Sequence, residues 1–192
     1  MNRLRVAASL TATVGLVVTA LVVAQAQTKP VDRDCSRVFA EGEHIPAQDS
    51  VVIEGTGLDA RFEVPENFIV LNDFLGFISI FSPRDYNYIE CAVTNNVTDS
   101  AETAAINVAL AEITVEELLS DDNRRDSEII VIGSTQMGGE SAVIYTTKNG
   151  LYIVQANHPD QNTSLIVSTD MKDGELPMND TFERILESLR FL

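Results

Sequence analysis

Two histidines, two cysteines and one compact acidic turn are the residues of this chain whose types suit site chemistry. Histidine serves proton transfer and metal ligation near neutrality, but His44 and His158 lie far apart in the sequence. A zinc centre would need them joined by further ligands in a set of three or four, and no spacing here supplies one. Both are read as exposed loop residues. A Ser-His-Asp catalyst needs a nucleophile held beside an oriented base, and no G-x-S-x-G elbow occurs. Gly55-Thr56-Gly57 lacks the further glycine and the lysine of a phosphate-cradling loop. The stretch "DMKDGE" sets Asp170, Asp173 and Glu175 around Gly174, hard oxygen donors of the kind calcium takes. The alternating acids and distal Glu of an EF-hand are absent, so the plain reading is an acidic turn. The expectation is a protein with no catalytic residues, no metal and no cofactor.

Cys35 and Cys91 take their meaning from the start of the chain. Arg3 and Arg5 precede an apolar run over residues 6–23 and then Ala24-Gln25-Ala26. That is the form of a secretory signal peptide with an A-x-A cleavage site. The run also reaches the roughly 18 apolar residues at which a helix can span a bilayer, so an uncleaved anchor is the alternative. A lipoprotein anchor would place a cysteine directly after a short apolar motif, whereas Cys35 follows "VDRD". An exported chain meets an oxidising compartment, and a Cys35–Cys91 disulfide is expected there. A redox-active pair would call for the C-x-x-C spacing that depresses a thiol pKa.

Charge excludes one large class of partner. The chain carries 13 Lys+Arg against 29 Asp+Glu, a net charge of −16; without the two arginines of the leader the balance is 11 − 29 = −18. Nucleic-acid binding relies on clustered cations that displace counterions from phosphates. The one dense pair, Arg124-Arg125, is enclosed by Asp121, Asp122 and Asp126. Such a balance gives a solvated surface, or attracts a basic partner or cations.

The elements that would position these residues belong to one domain. Residues 1–26 read as signal peptide, 27–50 as a polar strap packed through Phe39 and the disulfide, and 51–192 as a single domain of ordinary size. With no Trp in the chain, Phe, Tyr, Ile, Leu and Val must build the core. "ARFEVPENFIVLND" alternates Phe62 and Val64 with Arg61 and Glu63, meets Pro65 and resumes at Phe68 and Val70, which predicts two short strands about a turn. "GFISIFSP" predicts another strand closing on Pro83, and "YNYIECAVT" (86–94), rich in aromatic and β-branched residues, a further one. Ile106, Val108 and Leu110 alternate as a strand, after which Thr114 and Glu117 form a capping box for a short helix. From Glu128 onward four sequential antiparallel strands are punctuated by Gly138-Gly139, by Asn149-Gly150 as a two-residue type I′ turn, and by "NHPDQN". Asp180 should cap a last helix with Glu183 at its third position and an apolar stripe of Phe182, Ile185, Leu186 and Leu189. Arg190-Phe191-Leu192 then leaves it as a short extended tail pressing Phe191 on the core.

Phe62, Val64, Pro65 and Phe68, the "GSTQMGGESAVIY" step and the closing "FERILESLRF" together resemble the PsbP-like superfamily, which includes PsbP and the DcrB-type and LpqN-type bacterial proteins. The resemblance covers roughly residues 60–192 and implies an α+β fold, a largely antiparallel sheet flanked by helices as an α/β/α sandwich. It also implies a non-catalytic accessory or binding module, often exported. The motif positions are core positions, so no ligand residue carries over.

Two function classes follow. One is an exported binding or accessory protein, periplasmic or secreted, that recognises a protein or envelope component through a sheet edge or loops. The other is a small-molecule or cation carrier with a pocket between sheet and helix. A contiguous apolar cavity would favour the carrier, and an exposed flat patch the binding protein.

Overall fold

In the computed structural model, which describes Cys35 and residues 45–55, 57–72, 77–95, 103–120, 129–171, 174–176 and 178–192, the period-two alternation resolves into ten strands among the described residues. Their order is β1 (Ser50–Gly55), β2 (Ala60–Pro65), β3 (Ile69–Asn72), β4 (Phe77–Phe81), β5 (Ile106–Ala111), β6 (Ile129–Met137), β7 (Glu140–Thr147), β8 (Leu151–Asn157), β9 (Ser164–Asp170) and β10 (Arg190–Phe191). Helices α1 (Pro83–Asn95), α2 (Val115–Leu118) and α3 (Asn179–Ser188) interleave with them. The expected leader over 1–26, Phe39 and His44 lie outside the described residues.

The strands form two sheets. A large one runs β3-β4-β5-β9-β8-β7-β6, antiparallel at every step, and a small one runs β1-β2-β10. The fold is thus α+β, antiparallel and flanked by helices. Pro65 and the turn after it move the chain from one sheet to the other, because Phe68 N–H donates to Pro65 O at 3.0 Å and β3 then pairs with β4.

The main core is shared between the sheets and α3. Leu58, Phe62 and Val64 from the small sheet and its β1–β2 turn meet Ile78, Ile80, Ile106, Val108, Val154, Leu165 and Val167 of the large sheet, with Phe182, Ile185 and Leu189 of α3 and its C-cap. A second cluster of Leu118, Val143, Tyr145 and Ile153 occupies the other face of the large sheet, under α2. Alternation along β7 assigns Ala142 and Ile144 to the first cluster and Val143 and Tyr145 to the second. The capping box of α2 is complete: Thr114 Oγ1 accepts from Glu117 N–H, and Glu117 Oε2 accepts from Thr114 N–H at 2.9 Å.

Three expectations are corrected. Residues 86–94 are helical, not a strand, because they lie within α1. Pro83 occupies the first helical position, where its missing N–H costs nothing. Ser82 Oγ accepts from Asp85 N–H at 3.2 Å while donating to the buried Asp85 carboxylate. Tyr88, Cys91 and Ala92 then share a face at helical spacing and pack with Cys35, and this outweighs the strand preference of Tyr, Ile and Val. The two-residue type I′ turn sits at Gly138-Gly139, whose φ values of 65° and 92° are both left-handed. At the β7–β8 hairpin only Gly150 (φ 84°) is left-handed, and its N–H donates to Thr147 O at 3.0 Å. The loop therefore has three residues, a right-handed Lys148-Asn149 pair followed by a bulge glycine. Finally, α3 has Met178 at its N-cap with φ 58° and no side-chain cap, so Asp180 lies within the first turn and Glu183 beyond the third position. The strand β1 is an element that the sequence reading did not assign.

Candidate functional site

Cys35 and Cys91 are joined, with an S–S distance of 2.05 Å, and the chain has no free thiol. Both are buried, and the Asn95 amide donates to Cys91 O at 2.8 Å. The bridge ties Cys35 to α1 and leaves no thiol nucleophile.

His158 is only 4% exposed, a correction to its reading as a surface residue. The β8–β9 loop folds over itself: His158 N–H donates to Thr163 O at 2.9 Å, and the imidazole Nδ1 accepts from Asp160 N–H at 3.2 Å. The ring stands edge-on to Phe191 at 5.0 Å, so the histidine packs against the tail rather than facing a substrate. Asp170 and Glu175 are exposed, while Asp173 lies outside the described residues. Among the described residues no three His, Cys, Asp or Glu side chains gather as a metal site. Gly55 serves packing, since a Cβ there would approach Leu58 Cδ1 to 2.5 Å.

The polar interior is structural. Tyr145 O–H donates to Gln155 Oε1 at 2.8 Å, and the Gln155 amide donates to Ser164 Oγ and Ile113 O. Burial pushes the Tyr145 phenol up to about 12, so it stays protonated and acts as a donor, not a base. Nearby, Asn157 Oδ1 receives Val115 N–H at 2.7 Å and its amide donates to Glu116, which holds that carboxyl below its ordinary range. This network docks α2 on the sheet.

Three surface features remain as binding geometry. The first is β6, an edge of the large sheet nine residues long with no charged side chain. Ile130 and Ile132 are 61% and 54% exposed on it, and the ladder to β7 shifts register between Val131 and Gly133. Ile129 and Val131 turn the other way, into the cluster under α2. An edge strand presents unpaired N–H and C=O groups to any extended chain that reaches it, and charge or a bulge is the usual protection. Here the bulge is present and charge is not.

The second is a cavity of about 170 Å³ at the start of α3, lined by Pro46, Phe68, Met178, Asn179, Asp180 and Thr181. Its roof is held down, because Asn67 receives Ala47 N–H at 2.8 Å and donates to Ile45 O, while Arg184 donates to Ala47 O at 3.2 Å. The third is an open hollow of about 390 Å³ lined by Val52, Arg61, Phe62, Glu63, Ser188 and Arg190. It lies between small sheet and helix but is walled by charges of both signs, and so lacks the apolar lining of a carrier pocket.

The pattern of β6 was legible as a strand, but nothing in a sequence places a strand at an edge. The cavity had one sequence signal: Met stands where Ser, Thr, Asp or Asn would cap the helix. No helix among the described residues is long and apolar enough to cross a membrane.

No family model and no curated protein match the chain. Solved structures do resemble it. The Ran-binding protein Mog1p of Saccharomyces cerevisiae shares 12% identity over 74% of this chain and 95% of its own, with a TM-score of 0.43. Cyanobacterial PsbP (CyanoP) from Synechocystis sp. PCC 6803 shares 10% over 78% of this chain and 96% of its own, with a TM-score of 0.46.

Proposed function

We propose that this protein is an exported, non-catalytic accessory protein of the cell envelope that recognises another protein by accepting an extended segment along β6. The observation that carries the reading is the uncharged edge with Ile130 and Ile132 exposed on it. Main-chain hydrogen bonds to an edge supply affinity, and alternate side chains supply selectivity. Export is supported by the charged, apolar and A-x-A segments of residues 1–26 and agrees with a buried disulfide. A segment with basic flanks suits a chain of net charge −16, since opposite charge steers encounter.

The test is a photo-crosslinking residue at position 132 in the native envelope. A discrete protein adduct that disappears on Ile130→Lys supports the reading. Absence of any adduct, or equal adducts from the same label at Glu183 on the outer face of α3, refutes it.

A further inference from the structure

We propose that the segment received by β6 carries an aromatic side chain, which lies across Gly133 and covers Ile144. The inference rests on the edge reading of β6 given above and names what that edge selects.

It begins from a glycine that the fold does not require. Glycine in a strand interior weakens the strand, and often marks a bulge or a place that another backbone or a ligand approaches closely. Gly133 sits within β6 at the register shift that follows Val131. Its φ is not left-handed, so this bulge is not the kind that needs glycine. Beyond its chain neighbours, a Cβ there would meet only Ile144 Cδ1, at 4.0 Å, an ordinary van der Waals separation. Every other described glycine has a reason. Gly55 is crowded by Leu58, and Gly57, Gly138, Gly139, Gly150 and Gly174 are left-handed.

The missing side chain leaves a notch over the sheet. Gly133 pairs with Ile144, on the face that carries Ala142 and, one strand further in, Val154. Gly133 lays nothing over this neighbour, and Ile144 stays half-buried although it packs against the main core. A residue paired with Gly133 on an added strand would stand about 5 Å beyond β6 and point its side chain to the same face. Alanine or serine is too short to cross the gap. An aromatic ring can lie on the glycine backbone and reach Ile144, the cross-strand arrangement by which aromatic residues compensate glycine in sheets. Ile130, paired with Thr146 on this face and exposed, extends the apolar surface beside the ring. The ends of β6 set the flanks: Glu128 precedes Ile129 in the sequence, and the exposed Glu140 pairs with Met137. An uncharged centre with basic residues outside it suits such an edge.

The test uses a seven-residue peptide with arginine at both ends, alternating valine and threonine between them, and phenylalanine at the centre. A second peptide carries alanine at the centre. Each is titrated into the full chain and followed by amide shifts in a ¹⁵N spectrum. Saturable shifts along residues 129–137 are expected, with binding about fivefold weaker for the alanine peptide, the worth of one cross-strand aromatic contact. Nuclear Overhauser contacts should join the phenylalanine ring to the Ile144 δ1 methyl. Gly133→Val, which fills the notch with a side chain suited to a strand, should keep the shifts along β6 and lose the ring contact to Ile144. Equal affinities for the two peptides, or ring contacts to Val131 and Ser134 in place of Ile144, would overturn the aromatic selection and leave the edge reading standing. Shifts away from β6, or none, would overturn both.

Discussion

Replacing Gly138 by Ala tests the joint between the β6–β7 turn and the tail. A Cβ at Gly138 would stand 2.7 Å from Cδ2 and Cε2 of Phe191 and 2.9 Å from Cδ2 of Leu189, closer than carbon atoms pack. Its φ of 65° adds a separate penalty. Left-handed placement of an ordinary residue costs roughly 1–2 kcal/mol, and overfilling a packed site costs roughly 1–3 kcal/mol. The substitution should therefore destabilise the fold by about 2–5 kcal/mol. Gly139 is the built-in comparison: its φ is 92°, yet no atom lies within 4 Å of its added Cβ. Gly139→Ala should show the backbone penalty alone. Equilibrium urea unfolding of both variants, read as a midpoint shift at constant slope, separates the two contributions. Phe191→Ala introduced together with Gly138→Ala should cost less than the sum of the single changes, because the crowding partner is gone. Equal losses for Gly138→Ala and Gly139→Ala, or strict additivity with Phe191→Ala, would refute the packing of Phe191 on this turn.

Ile185→Ala, at a fully buried position of α3, should cost about 2–5 kcal/mol by urea unfolding; Leu186→Ala, half-buried, should fall at the low end, and Glu187→Ala within about 0.5 kcal/mol. Removing residues 180–192 should abolish cooperative unfolding, because Phe182, Ile185 and Leu189 leave the core with them. Gly150→Val places a β-branched residue at φ 84° and should cost at least about 1 kcal/mol, lowering the melting temperature. For Tyr145, the folded pKa of about 12 lies above the ordinary 10.0. Its contribution is present below pH 10 and is lost as pH rises towards 12. Urea midpoints should drop across that window and drop less in Tyr145→Phe. A residue of the slope should persist, since burial and the Glu183 charge also raise Tyr152.

Local rules carried much of the fold. The period-two alternation in β2, β4, β5 and the run from β6 to β9 was sufficient to place them, as was the Thr114–Glu117 capping box, because each depends on neighbours a few residues away. Competition between local preferences defeated the reading at α1, where Tyr86, Ile89 and Val93 favour a strand and the Ser82–Asp85 cap with the Tyr88–Cys91 face favours a helix. The turn at Asn149-Gly150 failed for a similar reason: the dipeptide suits a type I′ turn, but a three-residue loop uses the same glycine one place later. Non-local facts were out of reach. β2 and β3 are separated by one turn yet belong to different sheets, and the edge position of β6 depends on six other strands. The burial of His158 depends on Phe191, which arrives from the far end of the domain.

The small sheet is closed by partners from both ends of the domain. β10 pairs with β2 at Arg190↔Arg61 and Phe191↔Ala60, Leu192 N–H donates to Asp59 O at 2.8 Å, and Glu63 N–H donates to Ser188 Oγ across 125 residues. During synthesis, β1 and β2 leave the ribosome early, with Phe62 and Val64 uncovered until residues 179–192 have followed. A topology that waits for such distant contacts folds slowly, and the domain cannot close vectorially. Under the export proposed above, this delay would keep the domain threadable until its last helix has been made.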